Sequence, residues 1–391
     1  MGHGSSNKPL KYGMVGGGTG AFIGGVHRKA AALDSQAVLI AGAFSSTPEK
    51  SLASAKELGL ASDRSYGTYT EMFEREAARP EGDRIDFVSI VTPNDSHYPI
   101  AKAALEAGVH VVLDKPSTHT SAQSAELAEL ATGKGLVCCV TYNYTGNAMV
   151  RQAAQMVSEG QIGAIRKVFV EYHQGWLATK LEDSGLKQAA WRTDPARAGL
   201  GGALGDIGSH AENLVAFITG LQIESLCADL TSFVPGRLLD DDGTVLLRFR
   251  GGAKGVLTCS QVCCGCDNSL TIRVYGETGG LAWHQETPEV LKVSALDGST
   301  REMVRGGAGV GGRALAATRT PAGHPEGYLE AFGNIYLGAI EAIRAKMGQA
   351  VDGVLAGEIP TIQDGQRGVR FIELCVQSAN SGANWVDWSD G

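Results

Sequence analysis

A chain of 391 residues exceeds the usual size of one domain, and a hydrophobic content of 43% is enough for two substantial cores. Its formal net charge of −8 argues against nucleic acid as a partner, because nucleic-acid binding needs a basic surface. No apolar run reaches the length of a membrane span, and no secretory segment follows the start. We therefore expect a soluble, cytoplasmic protein with no membrane partner.

The eight cysteines lack the spacing of a secreted disulfide framework and lie mostly in apolar, strand-like segments. Cys263 and Cys266 form one C-x-x-C pair, a spacing that also occurs in zinc and redox sites. A zinc site needs a second pair of ligands, and none is evident at a suitable spacing. Buried, reduced thiols and no metal site are therefore expected, with metal binding at the C-x-x-C as the less favoured alternative.

The first third of the chain alternates strands with helices. The apolar run 38–44 is typical of a strand covered on both faces. After an opening strand that ends near Gly16, the predicted strands are 38–44, 87–91, 109–113 and 136–140, and the predicted helices are 48–58, 71–78, 98–107 and 121–132. This alternation predicts a doubly wound parallel sheet, a Rossmann-type α/β domain, over residues 1–142.

Beyond residue 143 the pattern changes to longer strands, some of which alternate polar and apolar residues. The predicted strands are 166–173, 223–233, 243–249, 255–261, 269–275 and 289–293, and the predicted helices are 148–158, 204–219, 328–347 and 364–381. Residues 143–391 are expected to form an α+β domain with a large, mostly antiparallel sheet. Its second face would carry Leu246, Val256 and Leu270, which predicts a homodimer or homotetramer.

Residues 12–24 are organised as a short buried strand, a glycine-packed turn and a helix. Gly16, Gly18 and Ala21 occupy the small-residue positions of a G-x-G-x-x-G/A turn. Gly16 permits the tight turn, Gly18 lets backbone N–H groups approach a pyrophosphate, and Ala21 lets the helix lie close to the sheet. The pattern predicts a dinucleotide site, with an ordinary glycine-rich loop as the alternative. The expected contacts are Gly16, Gly18, Thr19, Ala21, Phe22 and Ile23.

Two further segments carry residues suited to chemistry. Lys115 stands between Asp114 and Pro116 at the carboxyl end of a predicted parallel strand, the edge where open α/β sheets bind ligands. Asp206 and His210 are four residues apart on a predicted helix and so project from one face. An imidazole beside a carboxylate is a proton acceptor near neutral pH. An exposed lysine and a structural Asp–His pair are the alternatives.

Several other polar and aromatic residues follow predicted strands or stand in loops. They would line a cofactor cleft or suit the face and hydroxyls of a sugar-like ring, although each could equally be structural. The expected cofactor contacts in this group are Thr92, Pro93, Asn94, His97, Asp114, Lys115 and Asn143. The expected substrate contacts are Lys115, Tyr142, Trp191, Arg192, Asp206, His210 and His324.

In this order the motifs resemble the Gfo/Idh/MocA family of oxidoreductases, over nearly the whole chain. The segments that carry the resemblance are Gly16-x-Gly18-x-x-Ala21, Thr92-Pro93-Asn94 with His97, Asp114-Lys115-Pro116 and Gly205-Asp206-x-Gly208-x-His210. The family more often has Glu at the position of Asp114, which leaves the lysine in register. The resemblance implies a two-domain, nicotinamide-dependent dehydrogenase that acts on a sugar, glycoside or inositol.

The resemblance also implies roles for three residues at the hydroxyl being oxidised. His210 would take the hydroxyl proton, Lys115 would bind and polarise the oxygen, and Asp206 would orient and tune the pair. The hydride would pass directly from carbon to the nicotinamide.

The end of the second predicted strand bears on the choice of cofactor. It carries Ser45 and Ser46, with Lys50 in the next turn, and no carboxylate stands there to repel a 2′-phosphate. The Ser45…Lys50 spacing is similar to the Ser…Arg arrangement of NADP-using members of the family. NADP is therefore favoured over NAD, with the serines as mere helix caps as the alternative.

Two other functions stay open at this point. A nucleotide-sensing regulator could keep the fold and lose the chemistry, but the retention of Lys115, Asp206 and His210 argues against it. A biliverdin reductase-like or dihydrodiol dehydrogenase-like enzyme would act on an aromatic substrate. Such an enzyme predicts a more apolar cleft than these residues would form.

Overall fold

The computed structural model describes residues 8–351 and 353–388, and they divide into two compact units. The first unit comprises residues 8–118, 122–146 and 328–366, apart from 352. The second comprises residues 119–121, 147–327 and 367–388. The sequence predicts a single boundary after residue 142, whereas the structure returns residues 328–366 to the first unit.

The helices and strands are numbered here in chain order. The strands are β1 (Leu10–Gly16), β2 (Ala37–Ala43), β3 (Phe87–Val91), β4 (His110–Leu113), β5 (Cys138–Val140), β6 (Ile165–His173), β7 (Ile223–Thr231), β8 (Asp242–Phe249), β9 (Lys254–Ser260), β10 (Ser269–Gly276), β11 (Gly279–His284), β12 (Val290–Ala295), β13 (Thr300–Val304) and β14 (Val386–Asp387). The helices are α1 (Phe22–Ala32), α2 (Pro48–Glu57), α3 (Tyr69–Ala77), α4 (His97–Glu106), α5 (Ser121–Gly133), α6 (Ala148–Ser158), α7 (Lys187–Arg192), α8 (Pro195–Ala198), α9 (Ser209–Thr219), α10 (Gly312–Ala316), α11 (Tyr328–Lys346) and α12 (Ile362–Asn380).

A parallel sheet forms the centre of the first unit, in the order β2-β1-β3-β4-β5. All residues of β3 are buried, as expected for a strand covered on both faces. The chain leaves β1 for β2 on one side and then crosses to β3 on the other. The carboxyl ends of β1 and β3 therefore flank a switch point, where open α/β sheets bind ligands. The predicted parallel sheet is confirmed.

Helix α11 packs against α1 and belongs to the first unit. Its apolar residues recur every three or four positions, as on one face of a helix, and are buried in a core with Val26 and Ala30 of α1. The residues of α11 in that core are Phe332, Ile335, Tyr336, Ala339, Ile340 and Ile343. Burial of this face explains why the C-terminal part of the chain returns to the first unit.

In the second unit, the described strands form a larger sheet in the order β13-β12-β11-β10-β6-β9-β8-β7-β14. Only β6 and β9 pair in parallel among these described strands. This confirms the predicted mostly antiparallel sheet, although β11, β13 and β14 are not among the predicted strands. Residues 306–323 contain α10, and the Gly311 N–H before it donates to Gln152 Oε1 at 2.7 Å.

One face of this second sheet keeps apolar side chains in contact with solvent. Leu246 is 43% exposed and pairs with Val256, which in turn pairs with Phe169 of β6. Leu270, which the sequence places on the same face, is instead fully buried beside Ile272 on the covered face. The alternation along β10 is as predicted, and only the face given to Leu270 is wrong, because residues two apart share a face and Ile272 and Val274 are buried.

The exposed row predicts self-association, because a contiguous apolar sheet face seldom stays bare in a soluble protein. We expect light scattering at about micromolar concentration to give the mass of a dimer or tetramer, and Leu246→Glu to give monomer. Leu296→Glu is the matched control, since Leu296 is 78% exposed in the turn between β12 and β13. A monomeric mass for the unmodified protein would contradict this prediction.

Strand β4 begins with a histidine that gives the first unit a pH-dependent stability. His110 Nδ1 accepts a hydrogen bond from the Val137 N–H at 2.8 Å. Burial, assisted by the charge of Lys346, lowers the pKa of His110 to about 4. An unfolded histidine binds a proton at about pH 6.5. The folded state therefore loses stability as the pH falls from about 6.5 to about 4, by up to roughly 3 kcal/mol.

His110→Asn tests this contribution, because Asn keeps an acceptor near the Nδ1 position and does not titrate. Its free energy of unfolding is expected to fall less than that of the unmodified protein between about pH 7 and about pH 5. Chemical denaturation at the two pH values measures the difference. An equal fall in both proteins would show that other groups set the acid sensitivity.

All eight cysteines are free thiols. Burial raises the pKa of Cys138 to about 12 and that of Cys259 well above its usual range. The expectation of buried thiols fails at the C-x-x-C turn, where Cys264 is exposed and Cys263 and Cys266 are half-buried. Within residues 8–351 and 353–388, no three His, Cys, Asp or Glu side chains gather into a possible metal site. No helix in the described ranges has the length and hydropathy of a membrane span.

Candidate active site

The glycine turn after β1 lies at the switch point of the parallel sheet. Gly16 and Gly17 have φ of 79° and 68°, a region that favours glycine. A Cβ on Gly16 would lie 2.8 Å from the Val91 carbonyl oxygen, and one on Gly18 would lie 2.9 Å from the Phe44 carbonyl oxygen. Side chains at these positions would collide with backbone, so the turn can be built only from glycine.

Close packing of the helix on the turn is provided by Gly24, whereas the predicted role of Ala21 concerns the contact of the helix with the sheet and stays a prediction. A Cβ on Gly24 would lie 2.3 Å from Gly17 Cα. Ala21 is instead the N-cap of α1, and its N–H donates to the Gly18 carbonyl oxygen at 3.0 Å. The contact between Gly24 and Gly17 falls in the first turn of α1, beyond the end of the six-residue pattern.

The start of α1 is suited to an anion. Its first turn contains no acidic residue, and no side chain in the described part of the chain caps it. Backbone N–H groups at such an end have no partner within the helix and attract negative charge. Arg28 supports the turn by donating from Nη1 to the Gly17 carbonyl oxygen at 2.5 Å. Thr19 faces α2, donating from its N–H to Ser54 Oγ and from its hydroxyl to Glu57 Oε2.

His97 joins the loops that follow β3 and β4. Its ring is fully buried, with Nδ1 2.8 Å from the Pro116 carbonyl oxygen and Nε2 2.9 Å from the Thr92 carbonyl oxygen. The ring therefore fixes the backbone around Pro93, Asn94 and Lys115. Its predicted contact with a cofactor stays a prediction.

Two polar atoms at the carboxyl edge of the parallel sheet fit a bound cofactor. Thr92 Oγ1 follows β3 and Asn143 Nδ2 follows β5, and both are buried without a hydrogen-bond partner among the described residues. Buried polar atoms in folded proteins nearly always have a partner. A ribose or carboxamide group could supply it at either position. Together with the glycine turn, these atoms fit a nicotinamide dinucleotide.

Lys115 is positioned by the carboxylate that precedes it. Asp114 Oδ1 accepts from the Lys115 N–H at 2.9 Å and from the Thr141 hydroxyl at 3.0 Å. The peptide bond between Lys115 and Pro116 is cis. The lysine side chain is half-buried at the carboxyl end of β4. The predicted segment thus has a defined backbone at the ligand-binding edge.

In the second unit, Asp206 lies in a π-helical turn, 204–208, that leads into α9. Such wide turns occur frequently at functional sites. Asp206 Oδ2 accepts from Arg192 Nε at 3.1 Å and from Gln261 Nε2 at 2.9 Å. The carboxylate is therefore fixed by a cation and an amide.

His210 follows one turn later, in α9. Its side chain is buried, with 7% of the residue exposed, and its ring centroid lies 6.2 Å from that of Tyr172 on β6. Asp206 and His210 thus come from successive turns of one continuous helical segment, as the spacing predicts. An imidazole and a restrained carboxylate on one face can share the task of accepting a proton.

Asp240 anchors the start of this segment. Its carboxylate accepts from the Gly202 N–H and the Leu204 N–H, both at 2.7 Å. Burial raises the pKa of Asp240 to about 6, against the effect of these two backbone hydrogen bonds. A Cβ on Gly202 would lie 2.1 Å from the Asp240 carbonyl oxygen. The π-helical turn is therefore held in place by a residue outside the segment that carries Asp206 and His210.

The other predicted substrate residues have varied surroundings. The Arg192 guanidinium lies 4.2 Å from the ring centroid of Trp191. Tyr142 is 1% exposed and belongs to the core of the first unit, which favours a packing role. The His324 carbonyl oxygen accepts from Arg305 and from the Thr320 hydroxyl, while the residue as a whole is exposed.

The end of β2 shows how the two serines are used. Ser45 is half-buried, and its Oγ accepts from the Thr47 N–H at 3.3 Å. Thr47, and neither serine, is the N-cap of α2. Ser46 and Lys50 are exposed. Both serine hydroxyls therefore stay at the edge of the sheet and do not cap the helix.

Sequence reasoning missed three residues that build the site. Gly24 could have been found as a glycine at the start of the predicted helix, next to the turn, but Gln261 and Asp240 give no local signal. Gln261 is 55 positions from the carboxylate that it contacts, and Asp240 is 38 from Gly202. Only the folded structure brings them together.

Comparison with known proteins gives matches over both units. Residues 10–155 match the oxidoreductase family with an NAD-binding Rossmann fold, and residues 150–282 match the GFO/IDH/MocA C-terminal domain. The chain is 39% identical over 388 residues to the uncharacterized oxidoreductase YfiI of Bacillus subtilis, which covers 98% of each chain. It is 29% identical over 309 residues to levoglucosan dehydrogenase of Pseudarthrobacter phenanthrenivorans, which covers 73% of this chain and 76% of that one.

Among solved structures, an inositol dehydrogenase homolog from Azotobacter vinelandii is similar over 97% of this chain and 98% of that one. Its complex with NAD+ has a TM-score of 0.92 at 38% identity. Its complex with NADH and myo-inositol has a TM-score of 0.89 at 36% identity. Sequence matches across both units and these full-length similarities agree with each other, and the chain belongs to the GFO/IDH/MocA family of NAD-binding oxidoreductases.

Proposed function

We propose that this protein transfers a hydride between a nicotinamide cofactor and a secondary ring hydroxyl, or the matching ketone, of a sugar, glycoside or inositol. The observation that carries the proposal is the Asp206 carboxylate, restrained by Arg192 and Gln261 one helical turn before His210. A fixed carboxylate beside a buried imidazole is suited to proton transfer from an alcohol.

We assign the proton transfer to His210, which accepts the hydroxyl proton as the general base. Asp206 orients the imidazole and stabilises its charged form. Lys115 donates a hydrogen bond to the substrate oxygen and so favours the developing negative charge. A bound nicotinamide supplies the hydride acceptor in oxidation or the hydride donor in reduction.

We assign the binding of the cofactor to the first unit. The turn of Gly16 and Gly18 and the first turn of α1 receive the pyrophosphate. The buried atoms Thr92 Oγ1 and Asn143 Nδ2 supply hydrogen-bonding positions beyond it. The other predicted contacts of this unit stay part of the proposal.

Two relatives support the substrate class. One is named a levoglucosan dehydrogenase, and the other, an inositol dehydrogenase homolog, has been captured with myo-inositol. Both ligands are rings that carry several hydroxyl groups. The second unit of this chain offers matching polar groups in Arg192, Asp206 and Gln261.

The experiment is an absorbance assay of nicotinamide reduction across a panel of pyranosides, anhydrosugars and inositols, with NAD and with NADP. At least one ring polyol is expected to be turned over, and Lys115→Met is expected to lower that turnover by about a hundredfold or more. Turnover of aromatic dihydrodiols alone would overturn the substrate class. Cofactor binding with no turnover on any alcohol or ketone would instead indicate a regulator.

A further inference from the structure

A chain of buried polar side chains lies behind the end of β4 in the first unit. His27 of α1, Ser89 of β3 and Tyr336 of α11 are each no more than 1% exposed. The Tyr336 hydroxyl oxygen lies 2.7 Å from His27 Nδ1 and 2.6 Å from Ser89 Oγ. His27 Nε2, on the other side of the ring, lies 3.9 Å from Asp114 Oδ2.

The charge of the His27 ring follows from its surroundings. Burial lowers the pKa of His27, and its interactions with Arg28 and His97 lower it further, against the effect of the Asp114 carboxylate. Burial also raises the pKa of Tyr336, so its phenol stays protonated. Near neutral pH the imidazole is therefore neutral, with one nitrogen protonated.

The surroundings also select the protonated nitrogen. A carboxylate in front of Nε2 favours a proton there, which leaves Nδ1 to accept from the Tyr336 hydroxyl. Ser89 can then donate to the Tyr336 oxygen. In this arrangement Ser89 donates to Tyr336, and Tyr336 donates to His27. The His27 Nε2–H faces Asp114, so every donor in the series is directed towards that carboxylate.

The last residue of this series of side chains is Asp114, which orients Lys115. Asp114 Oδ1 is already used by the Lys115 N–H and the Thr141 hydroxyl. Oδ2 is the oxygen that His27 approaches. We propose that His27 is a positioning residue, which holds the Asp114 carboxylate by its Nε2–H and thereby fixes Lys115. The inference rests on the proposed function of Lys115.

A purely structural imidazole does not account for the arrangement. His27 Nε2 is buried and has no hydrogen-bond partner among the described residues. An apolar ring would fill the same space without leaving a polar atom unsatisfied. At 3.9 Å from Asp114 Oδ2, the His27 Nε2–H is too far for a hydrogen bond, and its dipole faces the charge of the carboxylate. Hydrogen bonds in active sites tighten when the ligands bind.

Two substitutions test the roles of His27 Nε2 and His27 Nδ1 separately. His27→Gln reaches as far as Nε2 and can offer an N–H to Asp114. His27→Asn ends near the Nδ1 position and keeps an acceptor for Tyr336 only. We expect His27→Asn to lower kcat about tenfold or more, the scale of a misplaced catalytic group. His27→Gln is expected to recover most of this loss.

Binding of the cofactor provides a readout that does not depend on turnover. The Kd of NADH, from a fluorescence titration, and the KM of the cofactor are expected to be nearly unchanged in both variants. Thermal unfolding shows whether each variant is folded. Equal loss of kcat in both folded variants, or weakened NADH binding with normal kcat, would overturn the positioning role.

Two further measurements keep the inference testable. Nitrogen NMR of labelled histidine in the unmodified protein is expected to show a neutral His27 protonated at Nε2, and a ring protonated at Nδ1 would overturn the proposal even if the variants fail to fold. Lys115→Met is measured in parallel. Normal turnover in Lys115→Met contradicts the proposed function, whereas an inactive Lys115→Met beside a normal His27→Asn contradicts only the positioning role.

Discussion

Replacing Lys115 by Met or His210 by Asn is expected to lower kcat by about a hundredfold or more, the usual scale for loss of acid–base assistance. Met keeps the length and apolar stem of lysine but cannot donate a hydrogen bond to a substrate oxygen. Asn keeps a polar group in the helix but cannot accept a proton near neutral pH. Steady-state turnover at saturating cofactor and substrate measures both effects.

Matched controls separate this loss from general damage. Lys134→Met removes an exposed lysine of the first unit, and His284→Asn removes a half-buried histidine of the second. Both are expected to leave kcat nearly unchanged. NADH binding should also change little in Lys115→Met and His210→Asn, because the proposed phosphate and ribose contacts are made by other residues. Near-normal turnover in both variants would show that the chemistry is carried by other residues.

The double variant adds a second check. Because Lys115 and His210 are proposed to serve the same chemical step, their effects should be far from additive. We expect the kcat of the double variant to be only a little lower than that of the less active single variant. Fully additive losses would indicate that the two residues act in separate steps.

The sequence predicts those parts of the structure that depend on local patterns. The strand 87–91 and the helix 148–158 have the bounds that the structure shows. The glycine turn is also local, since a tight turn needs small residues whatever the rest of the chain does. The class of both sheets follows, because continuous apolar runs and alternating runs indicate strands covered on two faces and on one.

The sequence does not predict features that depend on distant contacts, or which face of a strand is buried when adjacent residues are both apolar. His27 and Tyr336 are 309 positions apart, and no local pattern links them. Leu246 and Leu247 are adjacent and both apolar, so the sequence alone leaves open which of them faces the core. Leu270 is a different case, since Ser269 and Thr271 flank it and the alternation along the strand already groups it with Ile272.

The remaining large effect is expected at the end of β2, where Ser45 bears on the choice of cofactor. We predict a higher kcat/KM with NADP than with NAD, because a 2′-phosphate needs donors and no nearby carboxylate. Ser45 and Ser46 offer hydroxyl groups there, and the exposed Lys50 offers positive charge in the first turn of α2. Thr47 serves as the N-cap, so the serines do not have that role.

The similar structures with NAD+ and NADH bound make the opposite preference the natural competitor. The two are distinguished by kcat/KM for each cofactor. Ser45→Asp would place a carboxylate where the phosphate is expected, and would offer an acceptor to a free ribose hydroxyl. The preference should then reverse, through repulsion as well as lost contacts.

Ser45→Ala is the matched control, because it removes the hydroxyl without adding charge. We expect Ser45→Ala to weaken the preference for NADP and Ser45→Asp to invert it, so that the difference between the variants measures the effect of the added carboxylate, which repels the phosphate and accepts from a free ribose hydroxyl. If the unmodified protein prefers NAD by about tenfold, or about 1.4 kcal/mol of transition-state binding, the prediction is wrong. In that case the Ser45 hydroxyl would serve the local turn through Thr47 and not a 2′-phosphate.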